Sequence, residues 1–158
     1  MSAVLEEAML VFRPMVEEDL SGIMAIERAA YEFPWSETVF RDCLRVGYCC
    51  WVLECDELLV AHGIMSVAAG EAHVLNLCVH PDVQNSGLGK EMLEHLLHIA
   101  GQHRAEIIFL EVRPSNTRAQ RLYSRAGFGE VGIRSGYYPA VDGREDALIM
   151  ARNLVNED

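Results

Sequence analysis

The sequence lacks a CxxC pair, an apolar run long enough to span a bilayer, a basic leader and any repeat, linker or low-complexity segment. Each gap excludes something. The five cysteines, Cys43, Cys49, Cys50, Cys55 and Cys78, are odd in number and irregular in spacing. Neither a disulfide framework nor a zinc ribbon is built that way, so they read as reduced thiols. Cys49 and Cys50 are neighbours on a probable strand and should face opposite sides. His95 and His98 lie three apart on a helical stretch, but no third ligand follows at metal spacing, and no metal is expected. The stretch LLVAHGIMSVAA is broken by His62 and Gly63 well short of the ~18 apolar residues of a spanning helix. MSAVLEEAML opens with two glutamates and no basic segment, unlike a secretory signal. These gaps together predict a soluble cytoplasmic protein with no membrane partner.

Bases are scarce as well. Thirteen Lys and Arg stand against 24 Asp and Glu, a net charge of −11. That balance argues against direct binding of nucleic-acid phosphates. The excess is uneven: residues 1 to 60 hold 12 acids and 4 bases, residues 61 to 158 hold 12 and 9. Taken alone, the skew reads as solubility.

What remains is an ordinary globular composition, about half hydrophobic, over 158 residues. A single domain spanning 1–158 is expected. LVFRPM, residues 10 to 15, reads as a strand. Leu20, Ile23, Met24 and Glu27 recur at helical spacing behind an acidic first turn. Pro34 stops that helix, and Ser36 caps a second one carrying Val39, Phe40, Cys43 and Leu44. YCCWVLEC and LLVAHGIMSV, joined by Asp56-Glu57, read as a hairpin, and AHVLNLCV as a further strand. Leu93, Leu96, Leu97 and Ala100 mark an amphipathic helix expected to end at Gly101. AEIIFLEV is nearly all apolar, as in a sheet covered on both faces. Asn116 opens a helix closed by Gly127, and FGEVGIRSGYY and DALIMARNL read as the last strands. The class is α/β.

The informative stretch is LNLCVHPDVQNSGLGK, residues 75 to 90. A strand ends at a proline turn, and Gly87 and Gly89 stand at the mouth of a strong helix. Helix starts leave N–H groups unpaired and carry partial positive charge, so they suit phosphates. A Walker loop would need Gly in place of Gln84 and Ser or Thr in place of Glu91. A dinucleotide fingerprint would need Gly in place of Met92. A plain helix-entry turn fits the bare pattern equally well.

Q-x-x-G-x-G after a strand ending V-x-P resembles the acyl-coenzyme-A loop of the GCN5-related N-acetyltransferase superfamily. PWS-x-x-x-F at Pro34 to Phe40, LEVR at Leu110 to Arg113, N-x-x-A-x-x-L-Y at Asn116 to Tyr123 and YYP-x-x-DGREDA at Tyr137 to Ala147 are similar to its ribosomal-protein-alanine N-acetyltransferase group. The likeness runs from about residue 10 to residue 154. It implies an acyl-CoA N-acyltransferase fold: a mixed, mostly antiparallel sheet with a splayed central strand pair and helices on both faces. It implies acetyl-CoA as cosubstrate and no metal. Backbone N–H groups of Asn85, Ser86, Gly87, Leu88, Gly89 and Lys90 would hold the pyrophosphate. Leu77, Cys78 and Val79 would pair with the pantetheine arm, and Asn116 would complete the coenzyme site. Many relatives carry arginine where Asn85 and Ser86 stand; each exposed cation lost should cost only ~1 kcal/mol.

By the same resemblance, Glu111 is the general base and Tyr123 the general acid to departing coenzyme A. On the residues alone, Glu111 could be a strand-end side chain turned to water and Tyr123 a packing ring. The N–H of Val79 or Cys78 would hold the oxyanion, the amine attacking directly without a cysteine nucleophile. The implied acceptor is the N-terminal alanine of the eighteenth small-subunit ribosomal protein, whose basic tail would meet the acidic first half. Trp35, Tyr137 and Tyr138 are candidate groove walls, or packing residues. An α-amine of pKa ~8 is ~10% neutral at pH 7 and a lysine below ~0.1%, which favours the α-amine. A GNAT enzyme for lysine, another N-terminus or a polyamine, or a silent CoA-binding module, remain the alternatives.

Overall fold

The structure, a computed structural model, describes residues 9–155. Seven strands form one sheet in the order β1-β2-β3-β4-β5-β7-β6. They are β1 Leu10–Pro14, β2 Cys49–Cys55, β3 Leu58–Ala68, β4 Glu71–Val79, β5 Ile107–Val112, β6 Gly129–Ala140 and β7 Gly143–Asn153. The helices are α1 Leu20–Ala30, α2 Glu37–Val46, α3 Leu88–Gln102 and α4 Thr117–Arg125. The pairs β1–β2, β2–β3, β5–β7 and β6–β7 are antiparallel, and β4–β5 is parallel. The mixed, mostly antiparallel sheet expected from the sequence is therefore what forms. No described helix is long and apolar enough to cross a membrane. The chain divides into two compact units: Met1–Met65 with Asn76–Leu96, and Ser66–Leu75 with Leu97–Asp158.

In the first unit, the acidic turn before α1 is a separate 3-10 turn, Glu17–Asp19. Asp19 accepts from both terminal nitrogens of Arg13, at 2.8 and 2.7 Å, and Arg13 also reaches Glu54. α1 buries Leu20, Ile23, Met24, Ile26 and Glu27. Ser36 caps α2 as its spacing predicts, its hydroxyl accepting from the Val39 N–H. The β2–β3 turn is Asp56–Glu57, both at positive φ (50° and 71°), the conformation of a two-residue turn that matches strand twist. On β2, Cys50 is buried and Cys49 only partly so, as alternation requires. His95 of α3 stacks on Phe12 at 4.3 Å and meets the edge of Trp51 at the same distance. The ring is a packing element.

In the second unit, α3 runs past Gly101 to Gln102, contrary to expectation. The residue that turns left-handed is Arg104 (φ 61°), while the Ala105 N–H bonds back to Ala100. Glycine is favoured at such an end and Arg104 is tolerated there. β5 also departs from expectation: burial alternates, with Ile108, Leu110 and Val112 inward and Glu111 on the opposite face. Asn116 caps α4 by accepting from the Ala119 N–H at 3.1 Å. Gly127 (φ 91°) closes that helix, and the Phe128 N–H returns to the Tyr123 carbonyl.

The β4–β5 ladder runs from Glu71↔Ile107 to Val74↔Leu110 and stops, although β4 continues to Val79 and β5 to Val112. The paired stretch thus ends before either strand does.

Candidate active site

The open end of β4 has a defined polarity. The His80 N–H bonds the Val60 carbonyl on β3 at 2.8 Å. N–H directions alternate along a strand, so that of Cys78 also points to β3 and that of Val79 points away from it. Two carbonyls on the same side as the Val79 N–H are engaged by side chains: Leu77 accepts from Tyr31 Oη at 2.6 Å and Val79 from Gln84 Nε2 at 3.1 Å. Tyr31 was not singled out in the sequence, and Gln84 was read only as the first residue of the glycine motif. Of the two predicted oxyanion donors, only Val79 turns its N–H out of the β3 ladder.

After β4 comes a 3-10 turn, Pro81–Val83, then the glycine segment. Asn85 (φ 68°) and Gly87 (φ 89°) both turn left-handed, and a Cβ at Gly87 would meet nothing within 4 Å. Steric clearance is thus not the reason for Gly87; its backbone angle is. The Ser86 hydroxyl donates to the Val83 carbonyl, which fixes the turn. The first helical bond of α3 runs from the Glu91 N–H to the Gly87 carbonyl. The N–H groups of Leu88, Gly89 and Lys90 precede it, as at any helix mouth. Leu88 anchors the mouth in the core, at 2% exposure. Lys90 is exposed and lies 3.9 Å from Glu94.

Beneath α1 and the Pro34-Trp35-Ser36 turn lies a polar knot that sequence reading missed. Glu27 Oε1 is 3.0 Å from His62 Nε2, Asn76 Nδ2 donates to both Glu27 oxygens at 3.2 and 3.3 Å, and the Trp35 N–H donates to Oε2 at 3.0 Å. All but Trp35 are buried. The signal was legible: Glu27 takes the i+7 place of an otherwise apolar helical stripe. Cys78 completes a group with Glu27 and His62 whose ligand-type atoms lie within 4.8 Å of one another. The carboxylate is already engaged by three donors at hydrogen-bond distance, as expected of a satisfied buried carboxylate. Burial pushes the Cys78 thiol far up from its ordinary pKa, followed by the charge of Glu27. Trp35 itself is half-buried, its ring 5.2 Å from Phe40.

In the second unit, Glu111 has a hydrogen-bond partner on one side and a more distant cation on the other. Its Oε1 lies 2.7 Å from His73 Nε2 and its Oε2 3.6 Å from Arg134 Nε; the side chain is 8% exposed. Register explains the first contact. His73 pairs with Phe109, and Glu111 is two residues further along the same face of β5. Tyr138, from β6, is in electrostatic reach of Glu111. Burial first, then the charges of Glu111 and Tyr137, hold its phenol well above the usual range, and Tyr123 adds to this. Arg113 lies 4.4 Å over the Tyr138 ring and donates to the Pro139 carbonyl and Glu145. LEVR and DGREDA, far apart in sequence, thus meet through Arg113 and Glu145. The Tyr137 ring packs edge-on against Tyr138 at 4.9 Å and remains exposed. Tyr123 is buried on α4, which pushes its phenol up to about 12. The Asn116 carbonyl oxygen is committed to capping α4. His73, Arg134 and the Arg113–Glu145 pair were invisible in the sequence because only strand register brings them to these partners.

The β4–β5 ladder that ends early, the glycine turn at the mouth of α3 and the nearly buried Glu111 carboxylate are each features that the resemblance led us to expect. Residues 20–128 match the model of the acetyltransferase (GNAT) family. The chain is 42% identical over 133 residues to the ribosomal protein bS18-alanine N-acetyltransferase of Escherichia coli (strain K12), covering 84% of this chain and 90% of that one. It is 36% identical over 141 residues to the enzyme of that name from Haemophilus ducreyi (strain 35000HP), covering 89% of this chain and 97% of that one. Among solved structures, the ribosomal-protein-S18-alanine N-acetyltransferase from Escherichia coli superposes with TM-score 0.86 at 39% identity, over 92% of this chain and 94% of that one. The chain belongs to the acetyltransferase (GNAT) family and is an N-acetyltransferase.

Proposed function

We propose that this enzyme transfers the acetyl group of acetyl-CoA to the α-amine of a protein N-terminal alanine, that of ribosomal protein bS18. The observation that carries this reading is the 42% identity to an enzyme of that name across 84% of the chain. None of the five cysteines forms a disulfide, which fits the reducing cytoplasm where ribosomal proteins are made. The acidic excess of residues 1 to 60 fits a basic protein tail as partner.

The chemistry follows from this chain's residues. The N–H groups of Asn85 to Lys90 and the dipole of α3 bind the diphosphate of the cosubstrate. Lys90 is the one cation of that segment, so affinity rests on backbone donors. The edge of Leu77 to Val79 aligns the pantetheine arm. The Asn116 amide nitrogen is left for the coenzyme once its oxygen caps α4. The Val79 N–H stabilises the oxyanion as the amine nitrogen bonds to the thioester carbon. Glu111 takes the amine proton. Tyr123, kept protonated by its burial, donates to the sulfur as the C–S bond breaks. Cys78 is too deeply buried and too weakly acidic to serve as a nucleophile. Trp35, Tyr137 and Tyr138 bound the peptide groove, and the whole chain acts as one catalytic domain.

Purified protein, acetyl-CoA and a peptide panel test this. A basic peptide with a free N-terminal alanine should be the best acceptor, and the same peptide with its N-terminus blocked and a lysine inside should be inert. A lysine peptide with a blocked N-terminus acting as the better acceptor would overturn the reading.

A further inference from the structure

We propose that His73 is a positioning residue for the reaction, holding one carboxylate oxygen of Glu111 so that the other alone takes the amine proton. This rests on Glu111 being the base. A carboxylate base must be ionised, and an ionised carboxylate only accepts hydrogen bonds. At 2.7 Å, His73 Nε2 must therefore carry the hydrogen and donate it to Oε1. The tautomer follows from that pairing.

The two oxygens of Glu111 are then unlike. Oε1 is engaged by a short hydrogen bond from β4. Oε2 faces the Arg134 guanidinium at 3.6 Å, beyond good hydrogen-bond distance. Arg134 and Tyr138, both from β6, are the other charged or titratable groups facing this carboxylate. The Arg134 side chain is 52% exposed, whereas Glu111 is nearly buried. A carboxylate anchored only by so exposed a partner would swing about its side-chain torsions. The His73 ring, seated on the same sheet face and 29% exposed, removes that freedom. A base has to meet its proton within about 0.5 Å of the productive position, so the anchored oxygen sets the aim of the free one.

Three measurements on the full-length protein test this. His73→Leu should lower kcat ~10-fold, part of the ~10²-fold or more that a general base supplies, leaving the KM values for acetyl-CoA and peptide unchanged. His73→Gln, which keeps a side-chain N–H donor, should recover most of the loss. In a Glu111→Gln background, His73→Leu should have no further effect on kcat, since the group being positioned is gone. Nitrogen-15 NMR of the unmodified protein should show the His73 hydrogen on Nε2. Wild-type kcat in His73→Leu, additive losses in the double variant, or a hydrogen on Nδ1 alone would each overturn the proposal. Full activity in Glu111→Gln alone would instead sink the reading of Glu111 as base, so the two failures are distinct.

Discussion

Glu27 Oε1 lies 3.0 Å from His62 Nε2, and neither side chain is more than 1% exposed. Asn76 and the Trp35 N–H complete the carboxylate's donors. The knot ties α1, β3, β4 and the turn before α2 at one point. Glu27→Ala strips three donors of their acceptor inside the core and should destabilise the protein by about 3–5 kcal/mol. Urea unfolding would measure it; a loss under about 1 kcal/mol would mean that the knot contributes little.

Glu111→Gln should lower kcat ~10²-fold or more, with the deficit shrinking as pH rises and free amine accumulates. Steady-state rates from about pH 6 to about pH 10 span the ordinary α-amine titration. A deficit that ignores pH would deny Glu111 the base role.

Tyr123→Phe should lower kcat with little change in the KM for acetyl-CoA. The sign of the pH effect follows from burial, which pushes Tyr123 up to about 12. An acid must hold its proton, so the wild-type rate should not decline through pH ~10, where an ordinary phenol ionises. A decline there that vanishes in Tyr123→Phe would contradict a raised phenol.

Asp19 sits below its ordinary pKa, chiefly through its hydrogen bond from Arg13, with the Val16 N–H adding to it. A depressed carboxylate stabilises the fold above its unfolded pKa, and that stability is lost as pH falls through the folded one. Asp19→Asn should therefore lower Tm at neutral pH, the gap from wild type closing once pH drops below the ordinary aspartate value of ~4. Parallel melts at several pH values give the answer; a gap that widens in acid would reverse the sign.

Thiol reagents should find few targets. Burial raises Cys78 far from its ordinary value, pushes Cys50 up to about 12 and raises Cys43. A disulfide reagent should label the native protein at fewer than five sites and reach the rest only after unfolding. Under the proposed direct attack no covalent acyl-cysteine forms, so alkylation of the accessible thiols should leave acetyl transfer intact. Mass-spectrometric trapping of an acetylated cysteine during turnover would count against direct attack.

The amino-acid sequence by itself determined the local pieces: the caps at Ser36 and Asn116, the Asp56–Glu57 hairpin turn, the glycine segment at the mouth of α3, and through its motifs the family. Such features depend on a residue and its near neighbours, so they can be read in order. Tertiary structure alone decided which groups meet. His73 reaches Glu111 because β4 pairs in parallel with β5 in one register, and a shift by one residue would turn His73 to the other face. Arg113 meets Glu145, and Glu27 meets His62 and Asn76, for the same reason: hydrogen bonds between strands and helices distant in the chain carry no local signature. Even the end of α3 was settled that way, at Gln102 with the left-handed turn at Arg104 and not at Gly101.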